Sequence, residues 1–319
     1  MSTSAKFETI SDKEVVGLFF QNYDSAIKAS WASTVSNVFQ SMSAVEKYAG
    51  VGNAPALREW VGGKLAKSLA EYSQTVANKE YEATLEVFTK DLRRDKTSQL
   101  LPKIQSLAFR AAQHDEKLLS AIIEGAEAAT AGGLAYDGQY FIDTDHSVGA
   151  SGTINNDLTG TVVTATAPTA AELAGKILYV IQQMYGFKDD AGEPINAGMR
   201  DFLVMVPVPY WAAAVQALNS EQLQGTSGTI QNPIMSAGLN LGLVANPRLT
   251  WTTKFMVFAT GGSTKPMLIQ QEVAPTMKVL GDDSDHCFKH ASHLYSVEKS
   301  GNVAYWDFTK AAMITLSNA

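Results

Sequence analysis

Cysteine is almost missing from this chain: Cys287 stands alone among 319 residues. One thiol excludes an intramolecular disulfide framework and fits folding in a reducing compartment. Basic residues are the minority, with 25 Lys and Arg against 32 Asp and Glu and a formal net charge of -7. A protein that grips nucleic acid by neutralising many phosphates has the opposite balance, so any contact with DNA is expected to be loose. Long apolar runs are lacking too. The most apolar stretch, Phe202 to Leu218, is interrupted by Pro207 and Pro209 and is shorter than the roughly 20 residues a bilayer-spanning helix needs. The opening Met1 to Lys6 shows no basic stretch followed by an apolar run, so no secretory leader is expected. No internal repeat or low-complexity tract is present. A hydrophobic share of 45%, with aromatics spread along the chain, argues against general disorder and provides at least one sizeable core.

Periodicity divides the chain. Phe20, Tyr23, Ile27, Trp31, Val35 and Val38 recur at steps of three and four, predicting one amphipathic helix over residues 12–40, capped by Ser11 or Asp12. A Gly- and Pro-rich patch at 48–55 separates it from the next segment. Tyr81, Ala83, Leu85 and Val87 alternate with Glu80, Glu82, Thr84 and Glu86, a strand pattern, and the segment 69–76 is expected to pair with it as a long hairpin. Such a ribbon is marginal in isolation and needs a surface to lie on. Residues 97–131 read as the longest helix, with Pro102 in its first turn and Gly132-Gly133 as its stop. A turn and strand at 136–146 precede a polar loop or weak ribbon at 149–166. An α/β unit comes next: a helix at 169–185, a buried strand at 202–206, a helix to Leu218, and strands at 239–245 and 254–259. The final residues, 265–316, are strand-like, with a hairpin turn expected at Ser300-Gly301-Asn302.

Catalytic signatures are weak. His286, Cys287, His290 and His293 would suit zinc, and His286, His290 and His293 would share one helical face. A solvated polar turn leading into a strand explains the same residues more simply. Asp143, Asp145 and His146 form a second polar cluster, but turn and strand-edge aspartates are far commoner than acid/base pairs. Gly261-Gly262-Ser263-Thr264-Lys265 lacks phosphate-loop spacing, and Gly149-Ala150-Ser151-Gly152 and Gly225-Thr226-Ser227-Gly228 lack that of a nucleophile elbow. Arg93-Arg94, beside Asp91 and Asp95, reads as a solvated helix entry or an intersubunit charge contact.

Several segments have a recognisable form: Leu57 to Gly62, Asn78 to Val87, Tyr136 to His146, Asn246 to Leu249, Lys265 to Gln270 and Gly301 to Tyr305. In these the chain resembles the major head (capsid) subunit of Mu-like bacteriophages, most closely from Leu57 to Val148. Ser147 departs from the family's usual proline, and residues 259–264 lack its usual Trp/Asp-Thr-Ser pattern. The resemblance implies an α+β, Hong Kong 97-type capsid fold. In that mapping residues 1–50 are an N-terminal arm with its helix, 51–92 an extended-loop β-hairpin, 93–150 a peripheral domain with a spine helix, 151–262 an axial domain, and 263–319 strands returning to the peripheral domain.

It also implies a structural protein rather than an enzyme, without cofactor or metal. Copies would form hexamers and pentamers of an icosahedral head around double-stranded DNA, touched loosely. Portal, scaffold or protease, and optionally decoration proteins would be its other partners, with no membrane involved. The location would be the virion, after assembly in the bacterial cytoplasm. An aromatic arm face and a thin hairpin both call for a partner surface that an identical copy supplies. The expected intersubunit contacts are Phe20, Tyr23, Ile27 and Trp31 on the arm, Arg58, Glu59 and Trp60 at the following turn, Tyr72, Tyr81 and Glu82 on the hairpin, and Arg93 and Arg94. Two rivals remain open: an encapsulin-like nanocompartment shell, and a metal-dependent enzyme built around the histidine cluster.

Overall fold

The computed structural model describes residues 12–49, 73–94, 100–129, 132–225 and 228–319. Strands buried on both faces read as unbroken apolar runs, and two such runs, β8 (Asp201–Val206) and β12 (Lys254–Ala259), lie side by side at the centre of a five-stranded sheet. β11 (Asn240–Ala245) runs parallel to β8, β15 (Ala311–Asn318) antiparallel to β12, and β7 (Asp157–Val162) parallel to β15, for an order β11-β8-β12-β15-β7. Helix α6 (Ala170–Tyr185) presents Leu173, Ile177, Val180, Ile181 and Met184 to the core at helical spacing. Thr169 and Glu172 close a reciprocal capping box at its start. After a short helical turn at Val208–Tyr210, α7 (Trp211–Asn219) and α8 (Pro233–Ser236) pack with α6, beside the ribbon of β9 (Gln222–Gly225) and β10 (Gly228–Gln231).

A second sheet has the order β1-β13-β14-β4. The antiparallel pair β13 (Met267–Leu280) and β14 (Ser292–Tyr305) forms its spine, with α9 (Asp285–His290) at the tip. β1 (Ser36–Gln40) joins β13 in parallel, and β4 (Lys79–Phe88) joins β14 antiparallel. Helices α1 (Asp12–Lys28) and α4 (Leu100–Ala112) cover this sheet, burying Val15, Phe19, Tyr23, Ile104, Ala108, Tyr295 and Val297 in a core of their own. Helix α5 (His114–Glu124) instead places Leu119, Ile122 and Ile123 in the larger core, where the Tyr305 hydroxyl donates to the Ile122 carbonyl at 2.6 Å. Smaller elements fill the connections: α2 (Ala32–Val35), β2 (Val45–Ala49), β3 (Ser73–Ala77), α3 (Thr89–Arg94), β5 (His146–Ser147) and β6 (Thr153–Ile154).

Several expectations need correction. The first helix stops at Lys28 rather than Gln40, because the Ser30 hydroxyl accepts from the Ala32 N–H and donates to Glu116, and the chain then enters β1. Among the described residues, 73–76 do not pair with 81–87 as the expected hairpin would require. β3 pairs with β2 and β4 with β14, and Asn78 between them donates its backbone N–H to Ala44 O and its amide to Ser43 O, so the chain passes from one sheet to the next without reversing. The helix predicted over 97–131 is two helices joined at Gln113, since one straight rod cannot send Ile104 and Ala108 into the small core and Ile122 and Ile123 into the large one.

The stretch 136–146 is mostly turns, while 149–166 contains a true strand, β7, whose sparse apolar residues reflect its place at the sheet edge. Ser300-Gly301-Asn302 is interior to β14, not a turn. A Cβ on Gly301 would lie 2.3 Å from the Gln270 carbonyl oxygen, so this glycine allows close strand approach beside an irregularity at Gln271. The actual reversal is at 281–291. Finally, β15 does not return to the outer sheet but closes the central one between β12 and β7.

Candidate functional site

The arm stripe is largely spent inside its own chain. Tyr23 is buried, stacked at 6.0 Å on Phe19, and burial, with Asp115 and Asp24 nearby, pushes its hydroxyl up to about 12. Phe20 and Ile27 are half-buried against the same core, and Trp31 packs on the larger one. The helix therefore needs no neighbour to cover its apolar face, contrary to expectation: α4 covers it. Val38, by contrast, is 52% exposed on β1.

The ribbon β2–β3 has a register that the sequence did not disclose. Ala49 lies opposite Ser73, so the last described residue before the 50–72 stretch and the first after it are cross-strand neighbours. Its base is pinned by an aromatic trio, with Phe39, Tyr48 and Trp306 ring centroids 5.2 to 5.9 Å apart. The one sequence signal for this clamp is the pair of aromatics Phe39 and Tyr48 flanking the short run Ser41 to Ala44. Around the base, Met42 is 95% exposed and Val45 is exposed too. Arg58, Glu59, Trp60 and Tyr72 lie outside the described residues.

β4 forms one margin of the outer sheet among the described residues, a position that invites pairing with another chain. Tyr81 there is half-buried, its ring 4.3 Å from that of His114, and burial and Asp115 raise its hydroxyl above the ordinary value. Burial and Lys299 lower His114. Glu82 is exposed and accepts from the Thr84 hydroxyl at 2.8 Å. Beside this strand a groove of about 1110 Å³ is lined by Lys103, Arg110, Lys117, Arg248 and Lys299, opposed by Glu80 and Glu82. Arg93 and Arg94 end α3, immediately after β4.

Neither polar cluster assembles as a catalytic centre. Asp143 accepts from the backbone N–H groups of Tyr140 and Thr144, so it shapes a turn. His146 is wholly buried, stacked 3.8 Å from Phe308, with its Nδ1 2.7 Å from Asp137 rather than from Asp143 or Asp145. At the hairpin tip the four zinc-capable residues separate: His286 and His290 lie together, ring centroids 4.7 Å apart, whereas Cys287 and His293 group with Asp282. No helix of the described residues is long and apolar enough to cross a membrane.

A family model described as Mu-like prophage major head subunit gpT matches residues 13–169. The Mu-like prophage FluMu major head subunit of Haemophilus influenzae is 32% identical over 136 residues, 42% of this chain and 42% of that protein. The major capsid protein of Escherichia phage Mu is 26% identical over 114 residues, 36% of each. The matched stretches thus span less than half the length of either curated relative.

Among solved structures, the JBD30 procapsid chain aligns with a TM-score of 0.53 at 20% identity, covering 94% of this chain and 73% of that one. The mature capsid of bacteriophage PhiM1 aligns at 0.56 and 11% identity, covering 91% and 88%. A virus-like particle from Pyrococcus furiosus aligns at 0.53 and 10% identity, covering 95% and 98%. At such identities the likeness speaks for the fold alone, and the α+β, Hong Kong 97-type capsid fold expected from the sequence is the fold observed.

Proposed function

We propose that this chain, whose residues 13–169 match the Mu-like major head subunit family, is a major capsid protein whose copies build an icosahedral phage head around double-stranded DNA. One observation carries the reading. The family match stops at residue 169, yet the likeness to capsid chains runs through 94% of the molecule, so both halves point to the same class. Function then resides in interfaces, and no catalytic residue is required.

The contacts derive from the surfaces left open. Arg58, Glu59, Trp60 and Tyr72, outside the described residues and between the paired Ala49 and Ser73, are assigned by this proposal to contacts with a neighbouring copy. Tyr81 and Glu82 at the β4 margin, with Arg93 and Arg94 beyond it, meet that neighbour or the next. On the arm, the exposed rims of Phe20, Ile27 and Trp31 contribute, while Tyr23 holds α1 in place from within. Repetition of modest contacts closes hexamers and pentamers into a shell. Portal, scaffold or protease, and decoration proteins dock on that shell, DNA touches it loosely as the net charge of -7 suggests, and assembly takes place in the host cytoplasm before the protein resides in the virion.

A second reading, a nanocompartment shell, draws support from the likeness to the Pyrococcus furiosus virus-like particle. The family match favours the phage head. Sedimentation and mass measurement of the purified chain test the proposal: capsomers and megadalton particles are expected, and a stable small oligomer with turnover of a substrate contradicts it.

A further inference from the structure

We propose that Asp282, Cys287 and His293 form a zinc site at the tip of the β13–β14 hairpin. One ligand atom from each, a carboxylate oxygen, the thiol sulfur and an imidazole nitrogen, lies within 4.8 Å of the other two. The backbone arranges this. Ser284 caps α9, its hydroxyl accepting from the Cys287 N–H at 3.1 Å and donating to the Gly281 carbonyl at 2.6 Å, which sets Cys287 in the first turn of the helix. His293, near the start of β14, is the rigid member, its side chain only 6% exposed.

His293 lies between two carboxylates, an arrangement that a metal-bound imidazole also has. Its Nδ1 faces Asp12 Oδ1 at 3.4 Å, and its Nε2 faces Asp282 Oδ1 at 3.0 Å. A neutral ring has a single N–H and donates to one of the two carboxylates, whereas the imidazolium donates to both. With the proton on Nδ1 toward Asp12, the Nε2 lone pair meets the Asp282 carboxylate, and a cation between them turns an opposed pair into two ligands. The carboxylate–imidazole–metal relay is the usual way such a ring is oriented. Asp12 is itself held by the Tyr295 hydroxyl at 2.9 Å. Gly281 leaves space for it, since a Cβ there would stand 2.0 Å from Asp12 Oδ2.

The helix bearing Cys287 supplies an independent reason. α9 has six residues and buries none of them, and Ala291 ends it in a left-handed conformation at φ 51°. So short an element depends on its caps and on the Lys289–Asp285 pair at 2.6 Å rather than on buried side chains. His286 already ties it to β14 through the Ser292 hydroxyl at 3.1 Å, and a bound ion would add a second tie beside Phe288, which is 90% exposed.

Thiolate, imidazole and carboxylate together select zinc over magnesium or calcium. On binding, the Cys287 thiol releases its proton to solvent, His293 keeps its proton on Nδ1, Asp282 (side chain 77% exposed) swings in, and water fills the fourth position. His286 and His290 take no part, as His286 Nε2 is engaged with the Ser292 hydroxyl at 3.1 Å.

The test titrates the untagged, chelator-treated full chain with cobalt(II), followed by displacement with zinc. One cobalt per chain, a thiolate-to-cobalt charge-transfer band and proton release are expected. Cys287→Ser should abolish the band. Asp12→Asn should keep it but weaken affinity by about 10- to 100-fold, and the double variant His286→Ala/His290→Ala should bind as the parent does. Circular dichroism of each variant separates lost binding from lost folding. Absence of the band in the folded parent chain, equal uptake by the folded Cys287→Ser variant, or loss of uptake with His286 and His290 overturns the site.

Discussion

Asn156 has no exposed surface, and its side chain joins three strangers in sequence: it accepts from the Asp143 N–H at 2.8 Å and donates to the carbonyls of Phe141 and Phe308. Asn196 plays the same part between Met184 and Thr309, and accepts from the buried Lys310 ammonium at 2.7 Å. Replacing Asn156 by Ala strands buried polar groups, so Asn156→Ala should cost about 2–3 kcal/mol in denaturant unfolding. A change below a few tenths would show that water replaces the amide without penalty. None of these residues stood out in the sequence, because a lone asparagine in a turn-rich stretch looks like any other turn residue. Their importance comes from partners as distant as Phe308. The converse holds for Tyr23: its helical spacing was visible, but whether the covering surface is α4 of the same chain or another copy is a tertiary fact.

Among the elements, those with strong local signals were legible. The span of α6 and the apolar runs of β8 and β12 were read correctly, while the capping pair Thr169 and Glu172 passed unnoticed. Thr169→Ala should lower stability by about 1 kcal/mol, measured by chemical denaturation, and an unchanged midpoint would show that the cap is redundant. Burial tends to raise the Glu172 carboxyl, but hydrogen bonds from the Val163 and Thr169 N–H groups and the Thr169 hydroxyl outweigh it and hold it below 4.5. Its folded value is depressed, so its contribution is complete above the ordinary value and disappears as pH falls through the folded one. Glu172→Gln should therefore flatten the acid limb of the stability profile and leave its shape above that range unchanged.

α9 went unread because its apolar periodicity is nil, and the reversal at 281–291 was misplaced because Gly301 imitated a turn. Ala291 is the only non-glycine residue at positive φ among the described residues. Ala291→Gly should stabilise the chain by about 1 kcal/mol, and a lower melting temperature would contradict that strain.

For the whole molecule, sequence resemblance reached the right fold while the pairing beneath it was misjudged. β3 and β4 looked like two arms of one hairpin, yet they serve different sheets, because the partner of a polar strand is chosen by which sheet has a free margin. The corrected pairing sharpens the test of the assembly loop. Since Ala49 and Ser73 are cross-strand neighbours, residues 50–72 can be replaced by a two-residue turn without stretching β2 or β3. That variant should keep its circular dichroism and melting behaviour and lose shell formation, and normal shells from it would remove these residues from the interface.

The central claim, that copies of this chain complete one another into a container, is tested most directly by cryo-electron microscopy of the purified full-length protein under assembly conditions. The account expects closed icosahedral shells in whose walls the two-sheet subunit can be fitted, with residues 50–72 lying on an adjacent copy. Monodisperse single chains or small closed oligomers, with residues 50–72 folded onto their own subunit, would contradict it.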